Sequence, residues 1–324
     1  MFIGFGCAGV NILGVVEARG KRRPTARFGN RGGLAGYFFV IPSLLFIIVF
    51  VVIPILGALW WSLTDYDLMS APRWAGWKNY ANLADDTRYP AAIRNTLVFA
   101  FGTVPTGAIT SLLLAMLINR SIQGIYWFRA MFYMPVVSSF VAVSLIWLWF
   151  YDVQLGLFND IFEFIGISRL KWLRSPDTAL ISIMLISVWK NMGLNMVIYL
   201  AGLQGIPGHL YEAAEIDGAG RVSQFLKVTL PLLAPTTFFV VIVYFIGALQ
   251  MFIQVLIMTQ VQETSSPITG GPVDSTVTVV LLVYSNAFEY LKMGYASAMS
   301  FVLFLIIGLV TILNTRLLRY DVDF

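Results

Sequence analysis

Long apolar segments constrain this chain more than any other feature of its sequence. A helix needs about 17–25 apolar residues to cross a bilayer, and segments of that kind recur along the chain with polar connections between them. The first two are predicted at 34–63 and 92–118, and the third runs through 143–150. The last three are predicted at 178–204, 232–258 and 294–313. Because 58% of the residues are apolar and 12% are charged, against about 25% charged in soluble domains, we expect an all-α integral membrane protein with six transmembrane helices.

The amino-terminal region is apolar and then basic. Residues 2–16 are too short to span, and we expect them to lie at the interface. Basic residues then crowd before the first span, at Arg19, Lys21, Arg22, Arg23, Arg27 and Arg31. Because short cytoplasmic segments hold the Lys and Arg excess, the sequence predicts a cytoplasmic tail over 1–33 and another over 317–324, not a nucleic-acid surface. The single cysteine predicts neither a disulfide nor a metal site.

A polar segment at 205–232 separates the fourth and fifth spans. Good helix formers follow Pro207, and Gly218 is expected to end that first helix. A second helix is expected from about Ser223 to Leu230, where Pro231 would stop it. By parity from the amino-terminal tail, these two helices lie in the cytoplasm.

The order of residues in this segment resembles the coupling loop of permease subunits in bacterial ATP-driven (ABC-type) importers. The pattern is Glu-Ala-Ala, three residues, Gly, nine residues, an aliphatic residue, one residue, then Leu-Pro, and it starts at Glu212. The likeness is to the carbohydrate branch, of the maltose and glycerol-3-phosphate type. It extends to Ile41-Pro42-Ser43, Asn79-Tyr80, Asn95-Thr96-Leu97, Met134-Pro135 and Gly270-Gly271-Pro272. In the family a threonine runs almost directly into Gly-Gly-Pro, whereas here residues 260–268 intervene.

The resemblance implies a six-helix permease domain over 34–316, in a bacterial inner membrane, whose coupling loop docks on an ATPase. Glu212 would pair with a basic group of that ATPase, and Gly218 would make the turn. The residues assigned to coupling are Glu212, Ala213, Ala214, Asp217, Gly218, Leu230 and Pro231. The implied partners are a second homologous permease subunit, two ATPase subunits, an extracytoplasmic substrate-binding protein and membrane lipid. An ordinary amphipathic connecting helix is the alternative interpretation of the loop.

Nucleotide chemistry is not expected in this chain. It contains no Gly-x-x-x-x-Gly-Lys-Ser/Thr phosphate loop, so ATP and Mg are expected on the partner ATPase, with no cofactor, metal or catalytic residue here. A secondary carrier is the alternative in another class. It is disfavoured because the spans hold no row of acidic or histidine residues for a proton relay.

Polar residues within two spans predict a substrate path. Lys190 lies about twelve residues into the fourth span, and a cation there costs at least ~2.5 kcal/mol if it faces lipid. The candidates that share its arc or an arc on the fifth span are Ser187, Lys190, Asn191, Asn195, Tyr244, Gln250 and Gln254. Amides beside an aromatic ring are typical of sugar sites, although helix packing or contact with a partner subunit would use the same residues. The partner of Lys190 is left open among a backbone carbonyl, another subunit and the substrate.

These residues predict import of a carbohydrate or polyol derivative by alternating access. Glycerol phosphate, a polyamine or phosphate is the alternative cargo for the same architecture. In the second span Thr96, Thr103, Gly107 and Thr110 share one face, which predicts close helix packing rather than substrate contact.

Overall fold

A computed structural model describes residues 31–119, 124–259 and 270–317, with side chains from 37 to 316 in those ranges. The expectations for residues 2–16, for most of the two tails and for residues 260–268 lie outside these ranges. The described chain is almost wholly helical. Its only described strands, Thr64–Asp65 and Arg73–Trp74, pair antiparallel.

Four helices are long and apolar enough to cross a membrane, and two bent helix pairs bring the number of spans to as many as six. In chain order the spans are Tyr37–Ser62, Arg88–Ile118, Ile125–Val137 with Phe140–Phe150, Pro176–Gln204, Arg221–Leu232 with Ala234–Leu249, and Met293–Arg316. We number them first to sixth. The all-helical, multi-span architecture expected from the apolar pattern is therefore confirmed.

The chain divides into two compact units, one ending at Pro54 and one beginning at Ile55. The first holds the helix Arg31–Ile47 and the π-helical turn Ile48–Val52. The helix Ile53–Ser62 spans the boundary, with its first two residues in the first unit and the rest in the second. The second unit contains every other described element. Its shorter helices are Lys78–Asp85, Leu157–Phe164, Gly208–Ile216, Ile253–Thr259, the 3-10 turn Pro272–Asp274, Val279–Tyr284 and the π-helical turn Ser285–Glu289.

The core of the second unit forms where the second, fourth and fifth spans pack together. Thr96, Thr103 and Gly107 of the second span are buried, as their shared face predicts. A Cβ at Gly107 would collide with the Tyr244 ring of the fifth span. Glycine is therefore required there because the aromatic ring lies directly against its backbone.

The third and fifth spans are less regular than the sequence predicts. The third bends by 99° between Val137 and Phe140, where Ser138 and Ser139 have extended backbones. The fifth stops being helical after Leu249 and resumes at Ile253.

The second helix of the polar segment ends at Leu232, one residue after the expected stop at Pro231. The helix that begins at Arg221 continues to Leu232 and then bends by 64°. A π-helical turn over Phe225–Thr229 precedes the proline, and the N–H of Leu230 bonds to the Phe225 carbonyl. The helix thus ends directly after the proline, which lacks a backbone donor.

The connection between the third and fourth spans is built around Asn159. Its side-chain oxygen accepts from Leu170 N and Trp172 Nε1, both at 3.0 Å. The Glu163 carboxylate bonds Arg169 and raises the pKa of that guanidinium. Backbone N–H groups of Leu155 and Gln154 lower the pKa of Asp152. These bonds hold the helix Leu157–Phe164 and the irregular chain around it in a defined shape.

Candidate functional site

A cavity of about 640 Å³ lies among the second, fourth and fifth spans and the start of Phe140–Phe150. Six of the seven predicted substrate-path residues line it: Ser187, Asn191, Asn195, Tyr244, Gln250 and Gln254. Lys190 does not. Met251, which periodicity places on the same arc of the fifth span, lines the cavity as well. The lining also includes Phe99, Phe140 and Val280, which periodicity within the fourth and fifth spans could not identify because they come from other elements.

The fourth span presents its polar groups to the cavity at intervals of one helical turn. Asn191 Nδ2 donates to the Ser187 carbonyl at 2.8 Å, which leaves its second N–H and its side-chain oxygen for other partners. Asn195 is 6% exposed, and its Nδ2 has no hydrogen-bond partner among the described residues. A buried donor without a partner costs about 1–3 kcal/mol, so this amide is suited to a ligand that brings an acceptor.

The fifth span contributes both from its helix, through Tyr244, and from the interruption that follows it. The chain after Leu249 turns, with Gln250 N bonded to Gly247 O at 3.2 Å and Met251 N to Ala248 O at 3.3 Å. The Met251 carbonyl accepts from Thr278 Oγ1. Gln250 and Gln254 both line the cavity although the helix is interrupted between them.

Lys190 is buried behind this lining. Its ammonium donates to the carbonyls of Pro135 at 2.7 Å, Val136 at 3.3 Å and Ser138 at 2.7 Å. The same nitrogen lies 4.5 Å from the centroid of the Phe140 ring. Of the three partners that the sequence left open, the structure places backbone carbonyls around the cation.

A second candidate site lies at the turn after the helix Gly208–Ile216. Gly218 has φ +76°, and the N–H of Ala219 bonds to Ala214 O at 2.9 Å while Gly218 N bonds to Glu215 O at 3.0 Å. These two bonds form a Schellman motif, in which glycine adopts the left-handed conformation at the helix end. The turn is therefore dictated locally by Gly218.

Side-chain hydrogen bonds link the two helices that meet at this turn, Gly208–Ile216 and Arg221–Leu232, which we call the tied helix pair. The hydroxyls of Tyr211 and Thr229 lie 3.0 Å apart, and Gln224 Nε2 donates to the Ala219 carbonyl at 3.1 Å. A groove of about 450 Å³ between them is lined by Ala214, Asp217 and Gly218, among others.

The coupling candidates divide between the two ends of this helix pair. Glu212, Ala213, Asp217 and Gly218 are exposed near the turn and Ala214 is half-buried. Glu212 makes no ion pair with any described residue. Leu230 and Pro231 lie at the far end of the second helix, beside its 64° bend into the membrane segment. The arrangement is a tied, largely exposed helix pair joined directly to the apolar helix Ala234–Leu249.

Comparisons with known proteins agree with this architecture. Residues 96–319 match a family described as "Binding-protein-dependent transport system inner membrane component". The probable ABC transporter permease protein YesP of Bacillus subtilis is 35% identical over 91% of this chain and 94% of its own length. The trehalose/maltose transport system permease protein MalF of Thermococcus litoralis is 30% identical over 92% of this chain and 98% of its own. A crystal structure of a bacterial ABC transporter that imports the acidic polysaccharide alginate contains a chain with the same fold, at TM-score 0.76 and 20% identity, covering 90% of this chain and 98% of that one.

Proposed function

Because the chain belongs to the family of binding-protein-dependent transport system inner membrane components, we propose that it imports a carbohydrate through the cavity beside Asn195. It is a multi-pass inner-membrane permease subunit of an ABC importer and not itself an enzyme.

The observation that carries the choice of cargo is the chemistry of the cavity wall. Amides of Asn191, Asn195 and Gln254 stand beside the rings of Phe99 and Phe140. Sugar hydroxyls both donate to and accept from amides, and the apolar faces of a sugar ring fit against aromatic surface. The trehalose/maltose permease from Thermococcus litoralis supports the same cargo class.

The absence of charge at the described cavity wall disfavours the other cargoes. The described residues that line it include no Asp, Glu, Lys or Arg, and the Lys190 ammonium is already bonded to three carbonyls. A phosphate, a glycerol phosphate or a polyamine would enter this half of the site without a counter-ion, which is costly in a low-dielectric setting. A neutral sugar has no such requirement.

The remaining parts of the importer are proposed from the family and the coupling loop. The chain forms one half of a pore with a second permease subunit, and an extracytoplasmic binding protein delivers the sugar. Two ATPase subunits hold ATP and Mg, and the tied helix pair around Gly218 docks on one of them in the cytoplasm. Glu212, which is exposed and without an ion pair among the described residues, supplies a carboxylate for that contact.

Uptake by the complete transporter in lipid vesicles tests the cargo class. The panel is maltose, trehalose, lactose, glycerol 3-phosphate, phosphate and spermidine, each with ATP and with the binding protein. We expect uptake of at least one sugar, dependent on both. Uptake of only phosphate, glycerol 3-phosphate or spermidine would show the cargo assignment to be wrong, and uptake without ATP would indicate a secondary carrier.

A variant of Asn195 tests the cavity itself. Asn195→Ala removes the unpartnered amide, and the loss of one hydrogen bond to substrate is expected to raise the KM for uptake about tenfold. The matched control is Asn286→Ala, since Asn286 bonds its own helix at Leu282 O and does not line the cavity. Equal KM values for the two variants would exclude Asn195 from the sugar site.

A further inference from the structure

The break in the third span requires a group that can satisfy exposed backbone carbonyls. The helix Ile125–Val137 ends there, and the last carbonyls of a helix have no partner within it. Within a bilayer no bulk water is present to bond them, so each must find a donor in the protein. The extended backbones of Ser138 and Ser139 add to the carbonyls that need one.

Lys190 supplies those donors from the fourth span. Its ammonium has three N–H groups, and three carbonyls, those of Pro135, Val136 and Ser138, lie within 3.3 Å of it. Lys190 is only 4% exposed. A cation at the carboxyl end of a helix is also favoured by the helix dipole. The carbonyls at the break therefore explain how a buried lysine is stabilised at this position.

The same cation contacts the first residue after the break. Its nitrogen is 4.5 Å from the Phe140 ring centroid, within the range of a cation–π interaction. Phe140 lines the cavity whereas Lys190 does not. One turn further along, a Cβ at Gly193 would collide with the Phe132 carbonyl, so the fourth span and Ile125–Val137 are in direct backbone contact. These contacts connect the polar wall of the cavity to its aromatic wall.

We propose that Lys190 is a positioning residue that holds the Phe140 ring at the cavity wall and so sets which sugar ring faces fit there. It acts through the three carbonyls and the ring, without touching the substrate. The consequence for transport rests on the proposed function, whereas the placement of the ring does not. The placement of the ring can therefore be tested without substrate.

That test is a ¹⁹F spectrum of 4-fluorophenylalanine placed at position 140 in the assembled transporter. We expect Lys190→Met to shift and broaden the resonance, because the ring loses the cation that orients it. Arg129→Met is the matched control, since Arg129 also donates to a backbone carbonyl, at Ile118, and also lies over a ring, that of Tyr126, but away from the cavity. The control should leave the resonance unchanged. An unchanged resonance in Lys190→Met would overturn the proposal.

Transport kinetics separate positioning from a purely structural role. With the panel sugar that is taken up fastest, we expect Lys190→Met to raise KM about fivefold with kcat within about twofold. Lys190→Arg, which keeps the charge and the donors, should recover most of that loss. The effect of Lys190→Met should shrink in a Phe140→Leu background, because contacting residues are not additive. Full additivity, or a fall in kcat alone, would contradict positioning through Phe140.

Failed assembly of Lys190→Met and a lack of sugar uptake by the wild type each have a defined consequence. If Lys190→Met does not assemble, Lys190→Gln replaces it in both measurements, since it keeps two donors and removes the charge, and an unchanged resonance again overturns the proposal. If the wild-type transporter takes up no sugar, the proposed function fails while the resonance still decides whether Lys190 positions Phe140.

Discussion

Gly218 shows how a single residue defines the candidate coupling turn. Its φ of +76° is a conformation that residues with a Cβ rarely adopt, although nothing lies within 4 Å of an added Cβ. The requirement for glycine is therefore conformational and not steric. The two bonds that close the turn, from Gly218 N and Ala219 N, depend on that conformation.

Gly218→Val is expected to lower the stimulation of ATP hydrolysis by the sugar-loaded binding protein at least about fivefold, because a left-handed β-branched residue costs on the order of 1–2 kcal/mol. Insertion in the membrane should be normal. Gly220→Val is the matched control, since Gly220 has φ −68° and also has nothing within 4 Å of an added Cβ. Normal stimulation in Gly218→Val, or an equal loss in Gly220→Val, would contradict the role given to this turn.

At the scale of elements, apolar length predicts the unbroken helices well and the breaks poorly. The second span contains Pro105 and stays helical, whereas the third, with Pro135, bends by 99°. Proline alone therefore does not predict a break. The break also needs donors for the freed carbonyls, and Lys190 provides them from a distant part of the sequence. Such a tertiary contact is not visible in local sequence.

Helical periodicity identifies cavity residues most reliably where the helix is unbroken. Ser187, Asn191 and Asn195 lie on an intact helix, so a rotation of 100° per residue places them correctly on one face. Gln250 and Gln254 are predicted on one helical arc and both line the cavity, but Gln250 lies in a turn and Gln254 on the next helix, Ile253–Thr259. Phe99 and Phe140 come from other elements, and no periodicity within one span could find them.

The segment after residue 269 is held in place by an ion pair with the second span. Arg88 donates from Nε to Asp274 Oδ2 at 3.0 Å and from Nη2 to Oδ1 at 2.7 Å. Val273 and Asp274 have φ of 54° and 55°, which is strained for residues with a Cβ. Asn95 Nδ2 also donates to the Asp274 carbonyl at 2.9 Å. The bidentate pair therefore stabilises an otherwise unfavourable backbone.

Removal of this pair should be measurable in the stability of the purified subunit complex. Both side chains are 38% exposed, so the expected loss for Arg88→Met is only about 1 kcal/mol, or a fall in Tm of about 2–4 °C. The control is Lys78→Met, because the Lys78–Asp65 pair at 3.1 Å is 60% and 67% exposed and should contribute little. A Tm change in Arg88→Met no larger than in Lys78→Met would show that the pair does not hold the segment.

At the scale of the whole molecule, the fourth span separates two polar regions that are each held by side-chain hydrogen bonds. Pro176–Gln204 is one unbroken helix of 29 residues, long enough to cross a bilayer at 1.5 Å per residue. The connection built on Asn159 precedes it and the tied helix pair around Gly218 follows it. We therefore expect the two regions to lie on opposite sides of the membrane.

Cysteine labelling in intact cells tests this arrangement and its direction. The lone cysteine of the chain, Cys7, is first replaced by serine. With the basic tail in the cytoplasm, a membrane-impermeant thiol reagent should label Ser168→Cys in intact cells and Ser223→Cys only after the membrane is opened. Labelling of both positions in intact cells, or of neither, would contradict the crossing by the fourth span. The reverse pattern would keep that crossing but place the coupling loop outside the cytoplasm, where no ATPase could drive it.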